Sequence, residues 1–474
     1  MNRREFVTTC ACGFATFARR TLGSQAQGRP VRLRLRPERT GPLIPPDFLG
    51  LGYETASVAD RGLLAANNRG LIGFVRRLSS VGVIRVGGNT SDFAIWSAKG
   101  AAVSAPKQSV INQAVVGDLG GFLRATGWKL IWGLNLGRGT PEMAAEEAAA
   151  LASAAGDALL AFQIGNEPDL FGRNGHRPSN YDYPEFYDEF KRYVGAVRGR
   201  LPGAPMAGPD AATRTDWVVS FARDEGSRSR LLTHHFYEEG PPQNPASTLQ
   251  NLLKPRGQFS RVIEQLRATS LAVKVPYRIV ETNSCFGGGK AGVSDTFASA
   301  LWGLDLMFEL AAAGGAGLNI ETGVNHLGWI SKYTPIDRDE QGNCVARPLY
   351  YGMLAFALAS RGQLLAVDSE ASGINFRAYA VSGEGGRVWV TMINKDESHG
   401  AEVTLESPRQ LNSGELIRLT APALDSKDEV SLGGSMVTSD GQWSPKERES
   451  LRASGNVCKL QVPAGSALVV ELAP

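Results

Sequence analysis

Eight times between residues 45 and 362, a short apolar run ends on a polar residue and gives way to a helical segment. The runs cover residues 48–54, 83–89, 130–135, 160–167, 206–210, 232–237, 279–283 and 317–321. Strands buried on both faces are apolar along their whole length, and parallel strands need a crossover connection, usually a helix. Eight such units predict a (β/α)8 barrel, whose chemistry lies at the C-terminal ends of the strands. The rival is an open doubly wound sheet, but no Gly-x-Gly-x-x-Gly turn follows the first run. The helices carry their own signals. One is expected over residues 60–80. Thr140 with Pro141 opens another, residues 183–201 space Phe186, Phe190, Val194 and Val197 helically, and Ser294 is expected to cap a helix ending near Ala313.

After Gly362 the pattern changes to short strand-like runs at 374–381, 388–393, 403–405, 416–419 and 467–472, separated by Gly, Ser, Asp and Asn. That predicts a β-sandwich. Residues 31–35 alternate apolar and charged, as a half-exposed strand does, and are expected to join it. The domains so read are 1–26 (export segment), 27–44 (strand added to the sandwich), 45–362 (barrel) and 363–474 (sandwich). A chain of 474 residues has room for both folded domains.

The first residues carry Arg3-Arg4, then an uncharged stretch from Phe6 to Phe17, then the small-residue site Ser24-Gln25-Ala26. This resembles a twin-arginine export signal and predicts a periplasmic or secreted protein. Its removal would take four arginines (Arg3, Arg4, Arg19, Arg20) and Glu5 from totals of 50 basic and 47 acidic residues, bringing the formal charge from +3 to zero. A neutral chain of this kind argues against nucleic acid as partner. No apolar run reaches the length of a membrane span. Cys285, Cys344 and Cys458 are odd in number and widely spaced, which gives neither a disulfide framework nor a metal-ligand spacing.

The ends of the fourth and seventh runs carry Glu167 and Glu281. Two carboxyl groups aimed across one barrel mouth are the equipment of glycoside hydrolysis. One must keep a proton for the leaving oxygen, while the other stays ionised to attack or to activate water. Asn166, directly before Glu167, would donate to a sugar hydroxyl beside the anomeric carbon. The plainer alternative has both glutamates binding loop amides or capping helices. It weakens once both stand at strand ends of one barrel.

Several stretches together make the resemblance specific: Arg85-Val86-Gly87-Gly88-Asn89-Thr90-Ser91-Asp92-Phe93, Gly165-Asn166-Glu167-Pro168, His234-His235-Phe236-Tyr237, Glu281-Thr282-Asn283-Ser284, Gly287-Gly288-Gly289 and Ser294-Asp295-Thr296-Phe297-Ala298. On these residues the chain resembles glycoside hydrolase family 79, which contains heparanase and bacterial β-glucuronidases within the clan of retaining (β/α)8 glycosidases. The resemblance implies Glu167 as general acid/base, Glu281 as nucleophile and a covalent glycosyl-enzyme. It implies that Glu54 accepts bonds from sugar hydroxyls and that His234 supports the site. It further implies that Gly287, Gly288 and Tyr333 hold a uronate carboxylate.

Two positions depart from the family pattern. Phe286 stands before the glycine run where the family has tyrosine, and Phe236 stands at the sixth-strand tyrosine position. Tyr237, one residue on, is expected to face the other way. The leading expectation is an exo-β-glycosidase acting on β-glucuronides. The alternatives are a β-glycosidase of the same scaffold preferring a neutral sugar, and a non-catalytic carbohydrate-binding protein. A heparanase-like endo activity is less favoured, because the excised linker of heparanase has no counterpart and the mature charge is near zero. Arg138, Arg173, His176 and Arg177 could form a local basic rim, with solvated loop charges as the default. Two carboxylates and water suffice for the chemistry, so no metal or organic cofactor is expected.

Overall fold

Eight parallel strands, Gly50–Glu54, Val83–Gly87, Lys129–Leu134, Leu159–Ile164, Ala207–Ala211, Leu231–Glu239, Tyr277–Cys285 and Leu318–Glu321, form one sheet in the order four, three, two, one, eight, seven, six, five. The computed structural model describes residues 28–104, 108–255, 257–323, 331–411 and 413–473; the expected export segment lies outside them. The sheet closes where Phe162 of the fourth strand bridges in parallel to Met206, its N–H donating to the Pro205 carbonyl at 2.8 Å. A helix follows every strand, from Arg69–Leu78 after the first to Pro348–Ala359 after the eighth. The (β/α)8 barrel is therefore the fold of this part of the chain.

The interior is layered. Val83, Ile131, Ala161, Ala207, Leu231 and Val280, one from each of strands two to seven, make an apolar layer. Below it, fully buried Arg278 donates to Asn319 Oδ1 and to the carbonyls of Asp47, Phe48, Ala316 and Leu318. Five donors thus find five acceptors, which lets a guanidinium close the barrel floor without a carboxylate. Side chains two residues further along the strands, such as Arg85, Gln163 and Thr233, rise above the apolar layer and are polar.

Two local expectations are corrected. The helix expected over residues 60–80 is formed only by Arg69–Leu78, because Asn68 caps it by accepting from the Leu71 N–H. The residues before it turn instead, with Leu64 still buried. Ser294 does not cap the Phe297–Ala312 helix, whose N-cap is Thr296. Its hydroxyl accepts from the Lys290 N–H and so closes the turn after the glycine run.

Among the described residues the second sheet has eleven strands. Arg29–Leu43 lies inside it, antiparallel to Gln363–Glu370 and parallel to Ala401–Glu406. Alternation gives the sheet two different faces. Val390, Met392, Leu468 and Val470 join Val31, Leu33 and Leu35 in the sheet's own core, while Ile393, Ala467 and Val469 join the barrel's core. A polar cluster is buried at this junction: Asp305 of the barrel helix Phe297–Ala312 meets Lys395 Nζ and the Tyr379 hydroxyl. Cys285, Cys344 and Cys458 are buried free thiols. No described helix is long and apolar enough to cross a membrane.

Candidate active site

Glu167 and Glu281 come together at the barrel mouth. One oxygen from each, with a ring nitrogen of His235, lies within 4.8 Å of the others. Glu281 is fixed from two sides: Arg85 Nη1 donates to Oε2 at 2.6 Å and the Tyr237 hydroxyl to Oε1 at 2.8 Å. Both donors favour the ionised carboxylate. Glu167 has different surroundings. It sits just past its strand with φ 51° and ψ 51°, a left-handed conformation that few non-glycine residues adopt. Its N–H donates to the Asp210 carbonyl at 3.1 Å. His235 Nδ1 lies 3.0 Å from its Oε1. Burial above all, then the charge of Glu281, raises the Glu167 pKa against the opposing pull of His235. The two carboxyl groups thus stand in unlike surroundings, Glu281 between two donors and Glu167 biased to keep its proton.

Arg85 ties the layer together. Besides Glu281 it reaches Asp210 Oδ2 and Asn166 Oδ1, each at 2.8 Å. Asn166 is left with its Nδ2 buried and without a hydrogen-bond partner among the described residues. Such a donor is costly to bury unless something binds it. Glu54 reaches the same mouth and accepts from Thr90 Oγ1 at 2.6 Å, Thr90 N at 2.8 Å and Asn89 N at 3.2 Å. Gly88, at φ 72°, leaves it room, since a Cβ there would stand 2.3 Å from the carboxyl carbon. Burial, then Glu281, raises Glu54 to about 7 against Thr90 and Arg85.

The histidine expectation is corrected. His234 faces away from the two glutamates, its Nδ1 bound to the His235 carbonyl, and burial lowers its pKa to about 4. His235 is the site histidine, with Nε2 2.9 Å from Asp210 Oδ1 and Nδ1 3.7 Å from Glu281 Oε2. The expectation that Tyr237 faces the other way is corrected as well. Phe236 packs outward on Phe259, with ring centroids 4.6 Å apart, and Tyr237 is the inward residue. Leu231, Thr233, His235 and Tyr237 share the inner face, so the earlier expectation was one residue out of phase.

Phe286 is 45% exposed and meets the Tyr237 ring edge-on at 6.3 Å. Gly287, Gly288 and Gly289 follow with φ of 79°, 88° and 81°. This turn packs on the segment that carries Tyr333, through Lys332 N donating to the Gly288 carbonyl at 2.6 Å. Tyr333 is buried with its ring 6.2 Å from that of Tyr237. Glu321, at the end of the eighth strand, was not anticipated as a site residue. It accepts from the Gly323 N–H, keeps Oε2 buried and without a hydrogen-bond partner among the described residues, and is raised well above the usual carboxylate range by burial, Glu281 and Glu54. The candidate basic rim is mostly packing. Arg177 binds Glu189 and the carbonyls of Leu136, Gly137 and His176, and the His176 ring lies between Phe93 and Phe171. Arg138 lies over Phe93, and Arg173 is exposed.

Residues 375–469 match the family described as Glycosyl hydrolase family 79 C-terminal beta domain. The chain is 28% identical over 330 residues to a β-glucuronidase of Aspergillus niger, covering 61% of this chain and 60% of the relative. It is 25% identical over 312 residues to a β-glucuronidase of Neurospora crassa, covering 58% and 55%. The matches thus span less than two thirds of these relatives' lengths. Among solved structures, a 4-O-α-L-rhamnosyl-β-D-glucuronidase from Fusarium oxysporum 12S superposes with a TM-score of 0.75 at 19% identity, covering 93% of this chain and 99% of that one. A family 51 arabinofuranosidase from Xanthomonas axonopodis pv. citri gives 0.70 at 18% identity, covering 94% and 100%. At these identities the structural likeness shows the fold.

Proposed function

We infer that this chain belongs to glycoside hydrolase family 79 and is a retaining exo-β-glycosidase that acts on β-glucuronides. The observation that carries the reading is the unlike treatment of two neighbouring carboxyl groups, Glu281 between Arg85 and Tyr237 and Glu167 beside His235. Oxygens within 4.8 Å of each other support this reading, being in keeping with the roughly 5–5.5 Å spacing of double displacement. In this reading Glu281 attacks the anomeric carbon while Glu167 gives its proton to the departing glycosidic oxygen. The bond from carbon to that oxygen breaks as the glycosyl ester forms. Glu167, now a carboxylate, takes a proton from water, and the water oxygen displaces Glu281 with net retention. The unpartnered Asn166 Nδ2 supplies a donor for the hydroxyl next to the reacting carbon. The left-handed turn at Gly287 and Gly288, beside Tyr333, supplies close-approaching backbone and a hydroxyl for a carboxylate. Both β-glucuronidase relatives support that substrate class.

The test is Glu281→Ala with and without azide on an aryl β-glucuronide. Turnover is expected to vanish and to return with azide as the inverted glycosyl azide. Full activity in that variant would sink the assignment. A neutral-sugar glycosidase is the second reading, favoured by Phe286, which offers no hydroxyl to a uronate. Rates on aryl β-glucuronide, glucoside, xyloside and galactoside separate the two, whereas glycan binding without turnover of any of them would leave a binding protein. Export rests on Arg3-Arg4 and the segment after them, and fractionation of the producing cell tests it.

A further inference from the structure

Asp210 grips Glu167 twice. Its carbonyl accepts the Glu167 N–H at 3.1 Å, and its carboxylate holds the His235 ring that meets the Glu167 side chain. Asp210 is itself over-determined. It is fully buried and left-handed at φ 65°, it accepts from Arg85 Nη2 and from Gln163 Nε2, and its N–H donates to Thr233 Oγ1. Its ring partner is equally constrained, with Nε2 2.9 Å from Asp210 and Nδ1 3.0 Å from Glu167. Each ring nitrogen therefore faces a carboxyl oxygen. A neutral imidazole has one N–H and can donate to only one of them, whereas an imidazolium donates to both.

We propose that Asp210 and His235 are a positioning pair for Glu167: Asp210 holds His235 as an imidazolium whose Nδ1–H is given to Glu167 Oε1, so that the proton exchanged with substrate travels on Oε2. The inference rests on reading Glu167 as the acid/base. The charged and titratable groups facing His235 are Glu167 from the fourth strand's loop, Asp210 from the fifth strand and Glu281 from the seventh. Arg85 from the second strand is bonded to the last two, and His234 and Tyr237 are on its own strand. Burial works against a charged ring, and Glu281 and Asp210 outweigh it. The pair matters most when Glu167 changes role. While Glu281 is an anion it helps to keep the proton on Glu167. Once Glu281 is esterified that influence is gone, and the remaining cation steadies Glu167 as the carboxylate that receives a proton from water.

The test compares wild type with His235→Asn, which keeps an N–H donor near Nδ1 but no charge, and with Asp210→Asn. Both are assayed on phenyl and 2,4-dinitrophenyl β-glucuronides across pH. Loss of the cation is expected to move the basic limb of kcat/KM for the phenyl substrate upward by about one pH unit. Near neutral pH, general acid assistance that is misdirected lowers phenyl turnover by about 10-fold or more. The dinitrophenyl substrate, whose leaving group departs without a proton, changes far less in kcat/KM. A scaffolding role would lower both substrates alike and leave the limb where it was, and either result overturns the pair. If Asp210→Asn does not fold, His235→Asn carries the same readout. Full phenyl activity of Glu167→Ala overturns the acid/base reading and the pair together. An impaired Glu167→Ala beside an unchanged His235→Asn profile overturns the pair alone.

Discussion

Tyr237 donates its hydroxyl to Glu281 Oε1 at 2.8 Å, opposite the 2.6 Å bond from Arg85 to Oε2. The carboxylate is held between a neutral donor and a cation, so its attacking lone pair keeps one direction. Tyr237→Phe retains the ring contacts with Phe286 and Tyr333 and removes the hydroxyl, which also bonds to that of Tyr333. A hydrogen bond to a charged group contributes about 1.5–3 kcal/mol, so kcat is expected to fall about 10-fold to 100-fold with retention unchanged. Steady-state rates with product stereochemistry check it, and an unchanged kcat would remove Tyr237 from the mechanism.

Under the proposed function, Phe286 is the position at which the balance between uronate and neutral sugar is tested. It is exposed at the mouth, edge-on to Tyr237, and adjoins the Gly287–Gly289 turn. Phe286→Tyr adds one hydroxyl where a carboxylate is proposed to sit. The ratio of kcat/KM for aryl β-glucuronide over aryl β-glucoside is expected to rise by about 10-fold. A ratio that falls or stays level would place the carboxylate elsewhere.

The barrel was legible because its signal is repeated. Each apolar run with a polar end is ambiguous alone, but eight in series leave few folds. Glu167 and Glu281 were legible for the same reason, being the polar ends of two such runs. What failed was phase within the sixth strand, where His234-His235 and Phe236-Tyr237 each offer two chemically similar neighbours. The deciding clue was present: Thr233, His235 and Tyr237 are a polar file at period two, with Leu232 and Phe236 on the alternate face. Asp210 and Glu321 escaped for another reason. Their importance comes from what the closed barrel sets beside them, Arg85 and His235 for one and Glu281 and Glu54 for the other, and no spacing along the chain encodes those contacts.

Glu147 makes stability depend on pH away from the site. It is buried in the helix Pro141–Ala155, accepts from Trp132 Nε1 at 2.9 Å, and burial raises it to about 8 against that bond. The folded chain therefore keeps a proton that the unfolded chain releases above an ordinary glutamate value. Stability from this residue is highest below about pH 4.5 and falls as pH rises to about 8, by about 1.4 kcal/mol per unit between. Glu147→Gln keeps an oxygen for Trp132 and has no proton to lose. Its Tm is expected to exceed that of wild type at pH 7.5 and to lose the advantage near pH 5. Parallel Tm curves across this range would contradict the assignment.

At the junction between barrel and β domain Asp305 and Lys395 form a buried ion pair, completed by the Tyr379 hydroxyl at 2.7 Å. Both charged side chains are 7% exposed, so removing one strands the other away from water. Asp305→Ala leaves the Lys395 ammonium without its anion and is expected to cost about 3–5 kcal/mol, whereas Asp305→Leu with Lys395→Met removes both charges and costs far less. Denaturant unfolding of the two variants measures the difference. If the single and double variants lose equal stability, the cluster acts through packing volume, and the ion pair has no separate part in docking the domains.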